Sequence, residues 1–416
     1  MIRNLPEYCP VLIVGAGPAG STTSLFLEKS GIDHILIDKA SFPRDKICGD
    51  ALSGKVVSVL ADLGIDYLNE VENDPVNFRP CHGISFISPS GSRLSVPFKT
   101  KAAGKETAAG FLSRRIDFDH FLVKHIKPGR LFENCELVSL EEMPDGIIAT
   151  VKQNGIVGSI RADLVIGAEG ERSIVAKQLA GYVKSKEHYS ASVRAYFSGV
   201  AIGPEKEYIE LHFLDKALPG YLWIFPMTHD LWNVGVIVPS ETVSAKKINL
   251  KNLLDDLIQN HPLVKDRFVN AKMETPVMGW GLPLGSRKWK LSGTRFLLAG
   301  DSGSLIDPFT GEGIGNAMFM GKLAAEAAKK AVEAGNFSAQ YLTQYEKSVY
   351  DSLWQELKIG KTLLRLLGFP SIFNFVIRKA STNDKLKETI TCMFEDIGLR
   401  DKMRNPLFYI KLLLNR

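Results

Sequence analysis

The sequence predicts an α/β protein: a Rossmann-like nucleotide-binding domain interleaved with an antiparallel-sheet substrate domain, plus a C-terminal helical tail. Three observations predict it. An apolar run leads into the glycine-rich loop Gly15-Ala16-Gly17-Pro18-Ala19-Gly20, with a helical pattern and a second apolar run behind it. Two more short apolar runs, residues 163–167 and 295–300, read as further buried strands. Closely spaced stretches of strand-forming residues lie between them and read as an antiparallel sheet.

The elements follow in order. Residues 10–15 form a parallel strand, a helix runs to about Ser30, and residues 34–38 close a βαβ opening. In the loop, Gly15 permits a tight turn, Gly17 lets backbone approach a pyrophosphate, and Gly20 lets helix and strand pack closely. Ala16 and Ala19 complete the cradle, and the helix N-terminus offers it unpaired N–H groups. Asp38, 18 residues after Gly20, is placed to accept from ribose hydroxyls, and its charge repels a 2′-phosphate. At this point the ligand is an adenosine dinucleotide, FAD or NAD. Residues 83–98 read as a hairpin around Pro89-Ser90-Gly91. Residues 189–200, 208–214, 221–226 and 232–238 are the remaining strands, and a long helix spans 313–334. The pattern after Gln340 is helical. Residues 1–75, 111–182 and 285–345 therefore make the nucleotide-binding domain, 76–110 and 183–284 the substrate domain, and 346–416 a helical segment.

Composition excludes several classes. With 45% hydrophobic and 23% charged residues the chain is neither disordered nor of low complexity. Residues 355–416 hold 12 Lys/Arg and 6 Asp/Glu, a local +6 within a whole-chain +5, so the first 354 residues sum to −1. That balance argues against nucleic acid as a partner. Cys9, Cys48, Cys81, Cys135 and Cys392 show neither pairing nor metal spacing, which points to a reducing, cytoplasmic location without a metal. The N-terminal apolar stretch runs straight into the glycine loop and reads as a core strand, not a signal peptide. The nearest approach to a membrane span, 363–377, is broken by Arg365, Gly368, Pro370 and Asn374.

Specific likeness begins at Ala299-Gly300-Asp301 and the loop Asp307-Pro308-Phe309-Thr310-Gly311-Glu312-Gly313-Ile314. This pair resembles the second FAD fingerprint of flavoproteins with the p-hydroxybenzoate hydroxylase fold. The resemblance implies FAD as cofactor, with Gly300 and Asp301 at its ribityl chain. It also implies Pro308, Gly311, Gly313 and Ile314 at the flavin edge where negative charge builds on reduction. Residues 164–173 resemble a strand-loop of the same fold, with Glu169 where Asp is usual. Arg115, in Arg115-Ile116-Asp117-Phe118-Asp119, resembles an arginine that reaches the flavin; a solvated helix start is the other reading.

Two segments narrow the family. Residues 42–53, containing Arg44-Asp45-Lys46-Ile47-Cys48-Gly49-Asp50, and the strand Tyr221-Leu222-Trp223-Ile224-Phe225-Pro226 are similar to the geranylgeranyl reductase family. Its members carry an Arg/Lys-rich stretch ending in Cys-Gly and a Tyr-x-Trp-x-Phe-Pro strand. The resemblance covers residues 1 to about 350. It implies Lys39, Arg44, Cys48 and Gly49 beside FAD, with Cys48 and Asp50 as candidates for proton supply or flavin positioning. For Arg44 and Lys46 a solvated charge run is the alternative. Tyr221, Trp223 and Phe225 alternate along a strand and so share one face, a wall suited to a long apolar substrate or to core packing.

The chain has no second Gly-x-Gly-x-x-Gly and no Cys-x4-Cys, so electrons would come from transiently docked NAD(P)H or another reduced carrier. The expected activity is FAD-dependent reduction of carbon–carbon double bonds in an isoprenoid lipid or quinone side chain. A flavin monooxygenase of the same fold is the alternative, and an electron-transfer module at a membrane is a third reading. Tyr221 and Phe225 depart from the Trp-x-Trp-x-Ile-Pro strand of flavin halogenases. In the tail, Phe369, Ile372, Phe373, Val376 and Ile377 form an apolar stripe beside Arg378 and Lys379, and residues 407–414 form a second. They suit either a lid or peripheral contact with a lipid interface.

Overall fold

The computed structural model describes residues 5–98, 100–102, 105–107 and 110–383. The opening forms as strand Tyr8–Val14, helix Pro18–Lys29 and strand Ile35–Ile37, with the two strands parallel. Val11, Leu12, Ile13 and Val14 are all buried, which explains an unbroken apolar run in place of an alternating one. Strand Ile156–Gly167 pairs in parallel on the other side of Tyr8–Val14, and Phe296–Leu298 continues beyond it. The antiparallel strands Cys135–Met143 and Gly146–Gln153 complete one flank of this sheet.

A second sheet holds Gly83–Ile87, Arg93–Pro97, Tyr189–Ser198, Tyr208–His212, Tyr221–Pro226 and Leu231–Pro239. The antiparallel expectation fails at one pairing, since Tyr208–His212 runs parallel to Gly83–Ile87. No hairpin joins those two strands, and their long connection leaves either sense open. Alternation divides the faces. Tyr221, Trp223 and Phe225 share a core with Leu211 and Phe309, while Leu222, Ile224, Val234 and Val236 pack against Leu254 and Leu257. On Tyr208–His212, Glu210 and His212 alternate with Ile209 and Leu211, so they occupy the second face. Buried Glu210 there binds Arg267 at 2.7 Å, His212 at 3.0 Å and Arg93 at 3.2 Å. Burial alone would raise its pKa, but His212, Arg267 and Arg93 hold it down at about 2.

Helix Ile314–Ala334 packs on Pro18–Lys29 so closely that a Cβ at Gly321 would lie 2.5 Å from the Ala19 carbonyl oxygen. Helix Ala339–Leu366 buries Tyr345, Val349, Leu353 and Leu357 against the first sheet's core, so the expected division at 345–346 falls inside a helix. The apolar stripe on Pro370–Ser381 is split. Phe373, Ile377 and Ala380 enter the second sheet's core, whereas Phe369, Ile372 and Phe375 are 61%, 48% and 47% exposed. Among the described residues no helix is long and apolar enough to cross a membrane. Cys392 and residues 407–414 lie outside the described residues.

Candidate active site

A cavity of about 1580 Å³ is walled by both sheets. Pockets for one small molecule typically measure about 300–1000 Å³, so there is room for a cofactor and a substrate chain together. At one end lies the glycine loop. Gly15 has φ +96°, and a Cβ there would sit 2.6 Å from the Ala168 carbonyl oxygen. Gly17 caps helix Pro18–Lys29 without any side-chain hydrogen bond, so the first-turn amides are free for an anion. A Cβ on Gly17 would meet only Arg44 Nη2, at 3.7 Å. An uncapped helix end with open space above it fits the pyrophosphate of a dinucleotide. Asp38 accepts from the Ala16 amide at 2.7 Å and the Ala40 amide at 2.9 Å, with exposed Lys39 beside it.

Next come Gly300, at φ +65°, and Asp301, whose carboxylate meets Lys46 Nζ at 3.2 Å. Gly311, Gly313 and Ile314 line the same stretch at the start of helix Ile314–Ala334. Of the expected cofactor set, Ala16, Gly20 and Pro308 do not line the cavity. Ala16 instead tethers Asp38, Gly20 packs against the Gly15 carbonyl, and Pro308 is buried within its loop. Arg115 is buried, which removes the solvated-helix reading. It grips Asp119 through two 2.7 Å bonds, and Arg44 reaches the same carboxylate at 2.7 Å. Despite burial, these guanidiniums hold the Asp119 carboxyl below its ordinary range. Burial pushes the Cys48 thiol up, partly offset by Arg115, so it is a neutral thiol at pH 7.

The chemistry-bearing feature is the turn Cys48-Gly49-Asp50. Asp50 is fully buried with φ +67°, a left-handed conformation that costs energy in a residue with a side chain. Tyr196 Oη donates to Asp50 Oδ2, and Asn233 Nδ2 donates to the same oxygen at 2.8 Å. Asn233 Nδ2 also holds the Cys48 carbonyl at 2.8 Å, and its Oδ1 accepts from Trp223 Nε1 at 2.9 Å. Asp50 Oδ1 has no partner. Burial pushes the Asp50 carboxyl up to about 6, against the pull of Tyr196, Arg194 and Asn233.

Tyr221, Trp223 and Phe225 all line the cavity as a wall, but two have polar tasks as well. Tyr221 donates to the Thr310 carbonyl at 2.5 Å, Trp223 fixes Asn233, and Phe225 packs over Gly49. Sequence reasoning missed Tyr196, Asn233 and Arg194. One cue was present: Asn233 is the lone polar side chain in the apolar strand Leu231–Pro239.

The chain matches the FAD binding domain family over residues 8–354. A digeranylgeranylglycerophospholipid reductase of Thermoplasma volcanium is 30% identical over 357 residues, covering 83% of this chain and 84% of that protein. The counterpart from Methanococcus vannielii is 28% identical over 374 residues, covering 88% of this chain and 89% of its own. A solved geranylgeranyl bacteriochlorophyll reductase-like protein from Thermoplasma acidophilum superposes with TM-score 0.78 at 22% identity, covering 95% of this chain and 98% of its own. A flavin-dependent brominase superposes with TM-score 0.76 at 21% identity over 97% and 99% of the two chains. At such identities these two structures speak for the fold alone.

Proposed function

The chain belongs to the FAD-binding-domain family of flavoproteins, in its geranylgeranyl reductase group, and on that premise we propose that it reduces carbon–carbon double bonds of a geranylgeranyl-type isoprenoid lipid. The observation that carries the proposal is Asp50, a buried carboxyl with one unpartnered oxygen in a residue that borders an aromatic-lined cavity. A monooxygenase needs no acid fixed beside the substrate chain, whereas alkene reduction needs a proton as well as a hydride.

When bound, FAD supplies the hydride. The protein's own residues do the rest. The glycine loop and Asp38 hold the nucleotide end, and Gly300, Asp301 and the loop Gly311–Gly313 hold the flavin end. Tyr221, Trp223 and Phe225 wall the prenyl chain and keep water away, which matters because an isolated alkene is a weak base. Asp50 holds the proton, and Asn233 holds the turn that carries it through the Cys48 carbonyl. The two sheets serve as cofactor and substrate domains. NAD(P)H or another reduced carrier docks transiently to recharge the flavin. Exposed Phe369, Ile372 and Phe375, with Arg378 and Lys379 in the last turn, make the peripheral contact with a lipid surface.

The test is anaerobic. Purified protein with reduced flavin and a geranylgeranyl phospholipid should yield products heavier by two hydrogens per bond, without oxygen. Substrate-coupled oxygen uptake with hydroxylated product, and no such mass series, would replace the reductase reading with the monooxygenase.

A further inference from the structure

We propose that Tyr196 and Asn233 are positioning residues that load their hydrogen bonds onto one oxygen of Asp50 and so reserve its other oxygen for a single transferable proton. This rests on the reading of Asp50 as proton donor. Tyr196 and Asn233 are direct cross-strand partners on Tyr189–Ser198 and Leu231–Pro239, which brings their side chains together on one face. On the far side of Asn233 stands Phe225, and next along, Gly235 lies between Arg194 and Trp223. A side chain at Gly235 would overlap the Trp223 ring, so its absence lets the indole lie flat and reach Asn233.

That indole decides the orientation of the amide. Trp223 Nε1 is only a donor, so the atom of Asn233 facing it must be the carbonyl oxygen. The Asn233 Nδ2 group is thereby committed to the other side, where it meets Asp50 Oδ2 and the Cys48 carbonyl. Two donors now converge on Oδ2. A proton on that oxygen would compete with both, whereas a proton on Oδ1 disturbs neither. Oδ1 is buried and has no partner, so the acid form of Asp50 carries its hydrogen there.

Burial sets a cost on the state after transfer, and the same donors offset part of it. Once the proton leaves, the charge on Asp50 is met by the Tyr196 hydroxyl, the Asn233 amide and the Arg194 guanidinium. Arg194 stacks 4.2 Å from the Tyr196 ring centroid and pairs with Asp45 at 3.2 Å. Asp45 and Cys48, from its own loop, also act on the Asp50 charge or feel it. Interactions that strengthen as charge develops accelerate the step. In that step the Asp50 O–H bond breaks and its electron pair stays on the carboxylate. The alkene π pair would form the new C–H bond, and the adjacent carbon would take the hydride that bound, reduced FAD supplies. Water later returns the proton.

The test reads Asp50 itself. Protein labelled with ¹³C at aspartate carboxyls, in its oxidised flavin-bound form, is titrated by NMR, with the Asp50 signal assigned from Asp50→Asn. The midpoint should lie near pH 6. Tyr196→Phe, which keeps the ring under Arg194, should raise it by about one to two units, the worth of a hydrogen bond to a charged oxygen. Asn233→Ala should move it the same way, and if that variant does not fold, Tyr196→Phe decides alone. An unmoved midpoint in Tyr196→Phe overturns the proposal even if Asp50→Asn is inactive. Full turnover in Asp50→Asn overturns the proton-donor reading instead, whatever the midpoints do.

Discussion

Asn233 reaches back 183 positions along the chain to Asp50 and holds its carboxylate at 2.8 Å. The same amide nitrogen holds the Cys48 carbonyl, so one side chain fixes both the acid and the turn that presents it. The second sheet therefore governs the geometry of a loop that follows the glycine-loop βαβ unit in sequence.

Asp50→Asn should lower turnover by about 10²- to 10⁴-fold while leaving bound flavin unchanged, as removal of a general acid does. In the unmodified protein the acid must be protonated to act. Turnover should be level below about pH 6 and fall roughly tenfold per unit above it, as read in a steady-state pH profile.

The same substitution should stabilise the protein at pH 8. The folded pKa of Asp50 is raised, so its favourable contribution is complete below the unfolded value of 3.8 and disappears as pH rises through about 6. Above that pH a buried, ionised Asp50 weakens the fold by on the order of 2–3 kcal/mol, which asparagine would restore in part. Denaturant melts should show no gain at pH 3, about half of it at pH 5 and all of it at pH 8.

Trp223→Phe keeps an aromatic wall but removes the indole donor. Asn233 Oδ1 then loses its partner in a buried site, at a cost of about 1–3 kcal/mol of stability. Turnover should fall with the KM for lipid nearly unchanged, because the lost contact orients the acid. A large rise in KM with constant kcat would instead mark Trp223 as wall alone.

Glu210→Gln tests the cluster on the opposite face. It leaves Arg267 and His212 without their anion, while Arg93 keeps Glu205, and should destabilise by about 3–5 kcal/mol. Because the folded pKa is depressed to about 2, this stabilisation is present above the unfolded value of 4.5 and lost as pH falls towards 2. Turnover at low temperature should stay normal, since the cluster does not touch the cavity.

Replacing Phe369, Ile372 and Phe375 together by serine should cut co-sedimentation with anionic phospholipid vesicles at least tenfold, given the apolar area these side chains expose. Thermal stability should hold, because Phe373 and Ile377 keep the helix docked. Equal sedimentation of both proteins would remove the lipid-contact role from this helix.

What the sequence revealed and what it hid have separate causes. Gly15, Gly17 and Gly20 were legible because a backbone shape demands them, and Asp38 because its distance from the loop is set by one helix and one strand. Tyr221, Trp223 and Phe225 were legible because a strand alternates. Tyr196 and Asn233 were hidden, since their meeting with Asp50 depends on strand register across separations of 146 and 183 residues. Nothing in the local pattern records register. The parallel pairing of Tyr208–His212 with Gly83–Ile87 escaped for the same reason.

Asp50 is clamped by two donors in a turn that is itself clamped, whereas the aromatic wall and the Gly300–Asp301 stretch line one continuous cavity. In such a machine the acid is the stationary part and the lipid is the moving one. A prenyl chain repeats its double bonds at a fixed interval, so sliding by one repeat presents the next bond to the same acid without release. Saturation would then advance as a ladder along one chain, and its length would be set by how far the chain can thread past a fixed point.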